Sequence, residues 1–209
     1  MALPIVSGAT TDQLTVTPKK AALVTAREPD YGAAGGGFVV GGTTSAVVAA
    51  ALAANTTLMA ARFAAASSRK AYINKFQIQL VTATLGTAAL VHGTLGLQKF
   101  TTATPTGGTA RTPTRKNSSE GSTTDMTDVR DLNSALTVTS VVFTDIPVQF
   151  LNPASGAIGS LTTLEWRFDG TLNQPLVLLA GEGICLRSQV VMPATHTWMY
   201  SYVLDWSER

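Results

Sequence analysis

Between Ala71 and Val81 the side chains alternate: Tyr72, Asn74, Phe76, Ile78 and Leu80 fall on one face, and Ile73, Lys75, Gln77, Gln79 and Val81 on the other. A spacing of two is the mark of a strand buried on one side, and Thr84-Leu85-Gly86-Thr87 supplies its end. The same spacing returns near the carboxyl end, where Trp198, Tyr200, Tyr202, Leu204 and Trp206 project together as a row of core or packed interface. Ala88 to Thr102 reads as another long extended segment anchored by Leu90, Leu95, Leu97 and Phe100, with Gly93 and Gly96 permitting bulges or close backbone approach. Further apolar segments follow around residues 136–143, 146–150, 161–168, 176–186 and 192–206. Ala46 to Ala66 predicts two strands, Ser45 to Val48 and Thr57 to Phe63, joined by a turn at Ala54-Asn55, with a short helix as the alternative that its alanines favour.

Two stretches lack this periodicity. Residues 1–45 hold Pro4, Pro18, Pro29, the run Gly35-Gly36-Gly37 and the pair Gly41-Gly42, which predicts an extended amino-terminal arm. Its short apolar groups, Leu3, Ile5 and Val6, Leu14 and Val16, Leu23 and Val24, and Phe38 with Val39 and Val40, are suited to grooves on another surface. Residues 103–125 contain Pro105, Gly107, Gly108, Pro113 and Gly121 with almost no large apolar side chain, which predicts a long loop carrying Arg111, Arg115 and Lys116. Segments rich in Thr, Val and aromatics, punctuated by Gly, Pro and Asn, indicate an all-β fold: an antiparallel β-sandwich or jelly roll of eight to ten strands over 46–209, preceded by the arm.

Composition narrows the function. Charged residues make up 13% of the 209 residues, about half the usual share, so the surface is largely Thr, Ser, Asn, Gln, Gly and small apolar groups that neighbours can cover. A net charge of +2 without clustered Lys and Arg gives no reason to expect nucleic acid. No basic leader precedes an apolar core at the amino terminus, and no apolar run reaches membrane-spanning length, so synthesis in a cytoplasm and no membrane partner are the expectation. One cysteine, Cys185, rules out an intrachain disulfide.

Candidate chemistry is sparse. Neither Gly35-Gly36-Gly37-Phe38 nor Gly181-Glu182-Gly183-Ile184 completes a dinucleotide fingerprint. Cys185 could pair with His92 or His196 as a nucleophile, but it lies between Ile184 and Leu186 in an apolar strand, and reads as structural. Asp125, Asp128 and Asp131 at spacing three could approximate a weak calcium loop without its final Glu. Glu165 with Asp169, or Glu182 with Asp205, would make a glycosidase pair only if the fold brought them to the necessary separation. The expectation is therefore no catalytic site, no metal, no cofactor and no small-molecule ligand.

The stretches Phe76-Gln77-Ile78-Gln79-Leu80-Val81-Thr82-Ala83-Thr84, Asp125-Met126-Thr127-Asp128-Val129-Arg130, Pro175-Leu176-Val177-Leu178-Leu179-Ala180-Gly181-Glu182-Gly183-Ile184 and Val203-Leu204-Asp205-Trp206-Ser207-Glu208 resemble small virion proteins of tailed bacteriophages, specifically jelly-roll decoration, or cement, proteins. The resemblance spans residues 46–209, and its motifs are structural. It implies a homo-oligomer, dimer or trimer, bound to the major capsid protein on the virion surface after synthesis in the host cytoplasm. The contact residues expected are Leu3, Ile5, Val6, Leu14, Val16, Leu23 and Val24 of the arm, with Arg111, Arg115 and Lys116 of the loop. A tail or head-fibre component contacting receptor or glycan is the alternative, and a carbohydrate-active sandwich using Glu165 or Glu182 is a third reading.

Overall fold

The computed structural model describes residues 36–45, 47–48, 53–84, 91–101, 103–117, 123–139, 146–152, 161–168, 176–189 and 197–209. Every regular element among them is a strand: β1 (Gly36–Thr43), β2 (Val47–Val48), β3 (Thr57–Arg62), β4 (Ala71–Thr84), β5 (Val91–Thr101), β6 (Thr106–Arg111), β7 (Thr114–Arg115), β8 (Asp128–Thr137), β9 (Ile146–Asn152), β10 (Leu161–Arg167), β11 (Leu176–Leu178), β12 (Glu182–Ser188) and β13 (Thr197–Glu208). All pairings are antiparallel, and the strands form two sheets packed face to face. The first runs β10-β4-β13-β1-β7, with β11 beside β4 and β2 beside β13; the second runs β6-β8-β3-β12-β5-β9.

The order is nested. β1 pairs with β13, β3 with β12, β4 with β10 and β5 with β9, so early strands meet late ones and successive pairs alternate between the sheets. That is the winding of a jelly roll, two Greek keys closing one sandwich. The other five strands, β8 and the shorter β2, β6, β7 and β11, add to this eight-strand frame. β6 and β7 lie between β5 and β9 in sequence and extend the two sheets on the same flank, β6 beside β8 and β7 beside β1. The stretch expected as a long loop therefore contains two strands. Their Gly and Thr content offers no apolar alternation, and what orders them is the backbone edge of β8 and β1.

The sandwich also begins earlier than composition suggests. Gly36–Thr43 is an inner strand of the first sheet, and Phe38 and Val40 enter its own core rather than a foreign groove. Residues 1–35, and with them Leu3, Ile5, Val6, Leu14, Val16, Leu23 and Val24, lie outside the described residues. The two strands expected within 46–66 are present, and Asn55 takes a left-handed conformation (φ 66) at the turn between them. They do not pair with each other: β2 joins β13, whereas β3 joins β12 and β8. The apolar stretch 176–186 is two strands, split by a turn in which Gly181 has φ 79.

The alternation in β4 is real but changes phase. Ala71 and Ile73 are buried, and so are Phe76, Ile78 and Leu80, so the expected face containing Tyr72 and Asn74 is interrupted. On β13, Asp205 lies opposite Lys75 and Trp206 opposite Ile73, leaving Asn74 as the extra residue of a bulge. β11 flanks β4 before this point, at Ala71 to Ile73, and β10 after it, at Lys75 to Val81. The bulge thus marks where β4 exchanges one neighbour for another.

The aromatic row of β13 is the spine of the core. Trp198, Tyr200 and Tyr202 are each 2% exposed, and Leu204 and Trp206 are fully buried. Trp206 stacks on Phe38 at 5.8 Å between ring centroids, and Phe76 packs between Trp166 and Tyr202. In the second sheet, Met59, Ala61, Leu97, Ile184 and Leu186 point at this row, while Ala60, Cys185 and Phe100 on the opposite face are equally buried. Double-sided burial explains why β3 and β12 read as continuous apolar runs rather than alternating ones. Gly183 belongs to this arrangement: a β-carbon there would collide with the Phe100 ring and the Ala61 carbonyl.

Candidate interaction surface

Two places collect polar side chains: a buried tie between the sheets, and the outer face of the first sheet. The tie begins with Asp131 of β8, whose side chain is fully buried and points toward β13 and β1. Arg111 of β6 donates from Nε to Asp131 Oδ2 at 2.5 Å and from Nη2 to the Thr43 carbonyl oxygen at 3.0 Å, joining the second sheet to the first. The Tyr202 ring and hydroxyl lie against the same carboxylate. The Tyr200 hydroxyl donates to the Leu58 carbonyl oxygen at 2.5 Å and accepts from the Leu132 N–H at 3.1 Å.

Four elements converge there because Gly42 of β1 has no side chain; a β-carbon would stand 2.5 Å from Asp131 Oδ2 and 2.8 Å from Tyr202 Cε1. The hydrogen bond that Arg111 donates to Asp131 raises its guanidinium above the usual value. Burial raises both phenols, with the nearby Asp131 charge acting in the same direction. These groups are therefore locked in one protonation state across the ordinary pH range. Their chemistry is adhesive: the cluster ties sheet to sheet.

Of the three cations expected to make outside contacts, Arg111 and Lys116 hold acids of the sandwich. Arg111 serves the tie. Arg115 stands opposite Phe38 in the β7–β1 ladder. Lys116 reaches over Gly37 to an ion pair with Asp205. The three aspartates do not converge either: Asp125 accepts from Ser67 Oγ at 2.6 Å, Asp128 binds Arg130, and Asp131 binds Arg111. Glu165 sits between Arg167 and Lys75, which hold its carboxyl below the usual value, the opposite of what a general acid needs. Glu182 binds Lys99 at 2.5 Å and accepts from the Leu179 N–H at 2.7 Å. Asp169 and His196, and the side chain of His92, lie outside the described residues. Cys185 is buried, facing away from Ile184 and Leu186.

Sequence reasoning missed the most heavily used acid. Glu208 is fully buried at the end of β13 and accepts from Trp206 Nε1 at 3.0 Å, Thr124 Oγ1 at 2.5 Å, the Asp125 N–H at 3.0 Å and Arg69 Nη1 at 3.1 Å. Those donors fasten the 123–126 segment to the sheet. No local pattern announces this, because its partners lie more than 80 positions away apart from Trp206.

The outer face of the first sheet is a regular grid. One row reads Thr114, Val39, Asp205, Lys75, Arg167; the next reads Gly41, Val203, Gln77, Glu165; and the third reads Thr43, Ser201, Gln79, Thr163. Charge is gathered at one end, where Lys75 and Arg167 share Glu165, Lys116 pairs with Asp205, and Asn74 Nδ2 donates to Asp205 Oδ1 at 3.0 Å. The centre is neutral, with Val203 41% and Met199 37% exposed. Gln77, Gln79, Ser201, Tyr202 and Val203 line a shallow depression of about 140 Å³ there. Pockets for metabolites and cofactors run to roughly 300–1,000 Å³, so this one suits a single ring or side chain. No helix long and apolar enough to cross a membrane occurs among the described residues. Comparison with protein-family models, with curated proteins and with solved structures finds no match to this chain.

Proposed function

We propose that the protein is a non-enzymatic structural component of a virus particle, a decoration protein carried in many copies on the head of a tailed bacteriophage. The observation that supports it best is how the jelly roll uses its charges. Every described Asp and Glu is tied to a partner within the sandwich: Asp125 and Glu208 to Arg69, Asp128 to Arg130, Asp131 to Arg111, Glu165 to Lys75, Glu182 to Lys99 and Asp205 to Lys116. Acids spent in this way stiffen a building block, and neighbours that cover it meet no unpaired carboxylate among the described residues. The phage-like stretches of sequence point the same way, and under this reading the amino-terminal segment, with Leu3, Ile5, Val6, Leu14, Val16, Leu23 and Val24, grips the major capsid protein.

The test is quantitative mass spectrometry of purified particles. A decoration protein is present at a ratio to the major capsid protein near one to one, or at a simple fraction such as one to three. A ratio far lower moves it to the tail or a head fibre, and absence from particles ends the structural reading. A chain lacking residues 1–35 should still fold and should bind heads more weakly.

A further inference from the structure

We propose that the depression on the outer face of the first sheet is a binding site for one ring of a neutral saccharide. Around it, polar side chains spend their hydrogen bonds on one another: Lys75, Glu165, Arg167, Asp205, Lys116 and Asn74 are all engaged. The side chains of Gln77, Gln79 and Ser201 make no hydrogen bond within the described residues. Two amides and a hydroxyl are thus held side by side on adjacent strands, Gln77 beside Val203 and Gln79 beside Ser201, by a ladder that fixes their spacing. An amide offers both donors and an acceptor, and a hydroxyl offers both roles. That set matches the vicinal hydroxyls of a sugar, each of which donates and accepts.

The surroundings argue against other ligands. No Lys or Arg lines the depression, and the nearby Lys75, Arg167 and Lys116 each hold an acid, which disfavours phosphates and other anions at the site itself. The apolar area is limited to Val203 and Met199, too little for a lipid or for the large aromatic anchors that dominate protein–protein contacts. Backbone donors and acceptors of β4 and β13 are used in the ladder, so an added peptide strand has nothing to pair with at this face. The exposed Val203 instead supplies a small apolar platform for the C–H face of a pyranose, and Gly41 beside it leaves the flank open. A site of about 140 Å³ accepts one ring, with the rest of a chain running out over the grid. Binding by a single ring should be weak, of millimolar order, and would become effective through repetition if many copies share one particle. The saccharide site stands on the sandwich alone and does not require the virion reading.

The experiment is a two-dimensional ¹⁵N NMR titration of the full chain with glucose, galactose, mannose, N-acetylglucosamine and their short neutral oligomers. The expected result is a saturable shift of the Gln77 and Gln79 side-chain amides and of the Ser201 and Val203 backbone signals for at least one sugar. The Q77A/Q79A double variant should keep the rest of its spectrum and lose at least tenfold in affinity. No saturable shift up to tens of millimolar with any of these sugars, shifts that persist in the double variant, or a larger response to a Gln- and Asn-rich peptide would each overturn the proposal. None of these results depends on whether the protein is found on particles, so this site and the structural role are tested separately.

Discussion

Gly42→Ala is the smallest change that probes how closely the two sheets meet. The added methyl would stand 2.5 Å from Asp131 Oδ2, 2.8 Å from Tyr202 Cε1 and 3.0 Å from the Tyr202 hydroxyl, so something has to move. Gly42 has no left-handed backbone angle, so the cost is steric. Asp131 cannot yield without loosening its 2.5 Å contact to Arg111, and Tyr202 is packed in the aromatic spine. Overpacking of this sort costs about 1–3 kcal/mol, and the strained buried ion pair should place the total near the upper end, at about 3 kcal/mol. With a urea dependence of about 2 kcal/mol/M, the midpoint should fall by about 1.5 M. Gly37→Ala in the same strand is the control. There the nearest atoms are Lys116 Cδ at 3.5 Å and Cβ at 3.8 Å, ordinary contact, and the change should be neutral or stabilising by about 0.5 kcal/mol. Adding Asp131→Ala to Gly42→Ala removes the collision partner, so the double variant should be more stable than the two single losses summed, by at least about 1 kcal/mol. If Gly42→Ala unfolds within about 0.5 kcal/mol of the parent, the close approach of β1, β8 and β13 is wrong.

Two further outcomes follow from the same cluster. Arg111→Met leaves the buried Asp131 charge without its main partner; because Arg111 is 28% exposed, the loss should lie at the low end of the range for broken buried pairs, about 3 kcal/mol, read by urea titration, and an unchanged midpoint would contradict the tie. Tyr200 and Tyr202 have phenols raised by burial, so the folded chain keeps protons that the unfolded chain releases above about pH 10; their contribution to stability should be flat below that pH and fall above it. An absorbance titration at the phenolate band should show these two rings ionising only as the near-ultraviolet circular dichroism collapses, and their ionisation in a chain that is still folded would refute the packing.

What the chain carries locally could be read from it directly. Spacing of two in Trp198, Tyr200, Tyr202, Leu204 and Trp206 needs only the pleat of a strand to become a buried row. The turn at Ala54-Asn55 and the all-β class were legible for the same reason: each depends on a few neighbouring residues. The functions of Gly42 and Arg111 were not, since each is set by atoms that β8 and β13 bring from far along the sequence. The acids that hold Arg111 and Lys116 were hidden because charge is visible in sequence and its partner is not. The phase change at Asn74 was hidden because a bulge is defined by the strand opposite, here β13. The nested pairing lay furthest from view: alternation says which side of a strand is buried but not which strand lies beside it, and a jelly roll is defined by that second choice. The depression between Gln77, Gln79, Ser201 and Val203 exists only because β13 docks on β4 in one register. A slip of one residue would set those amides on the same face as the aromatic row, which would bury the one or expose the other, so burial of the aromatics is the physical force that places the site.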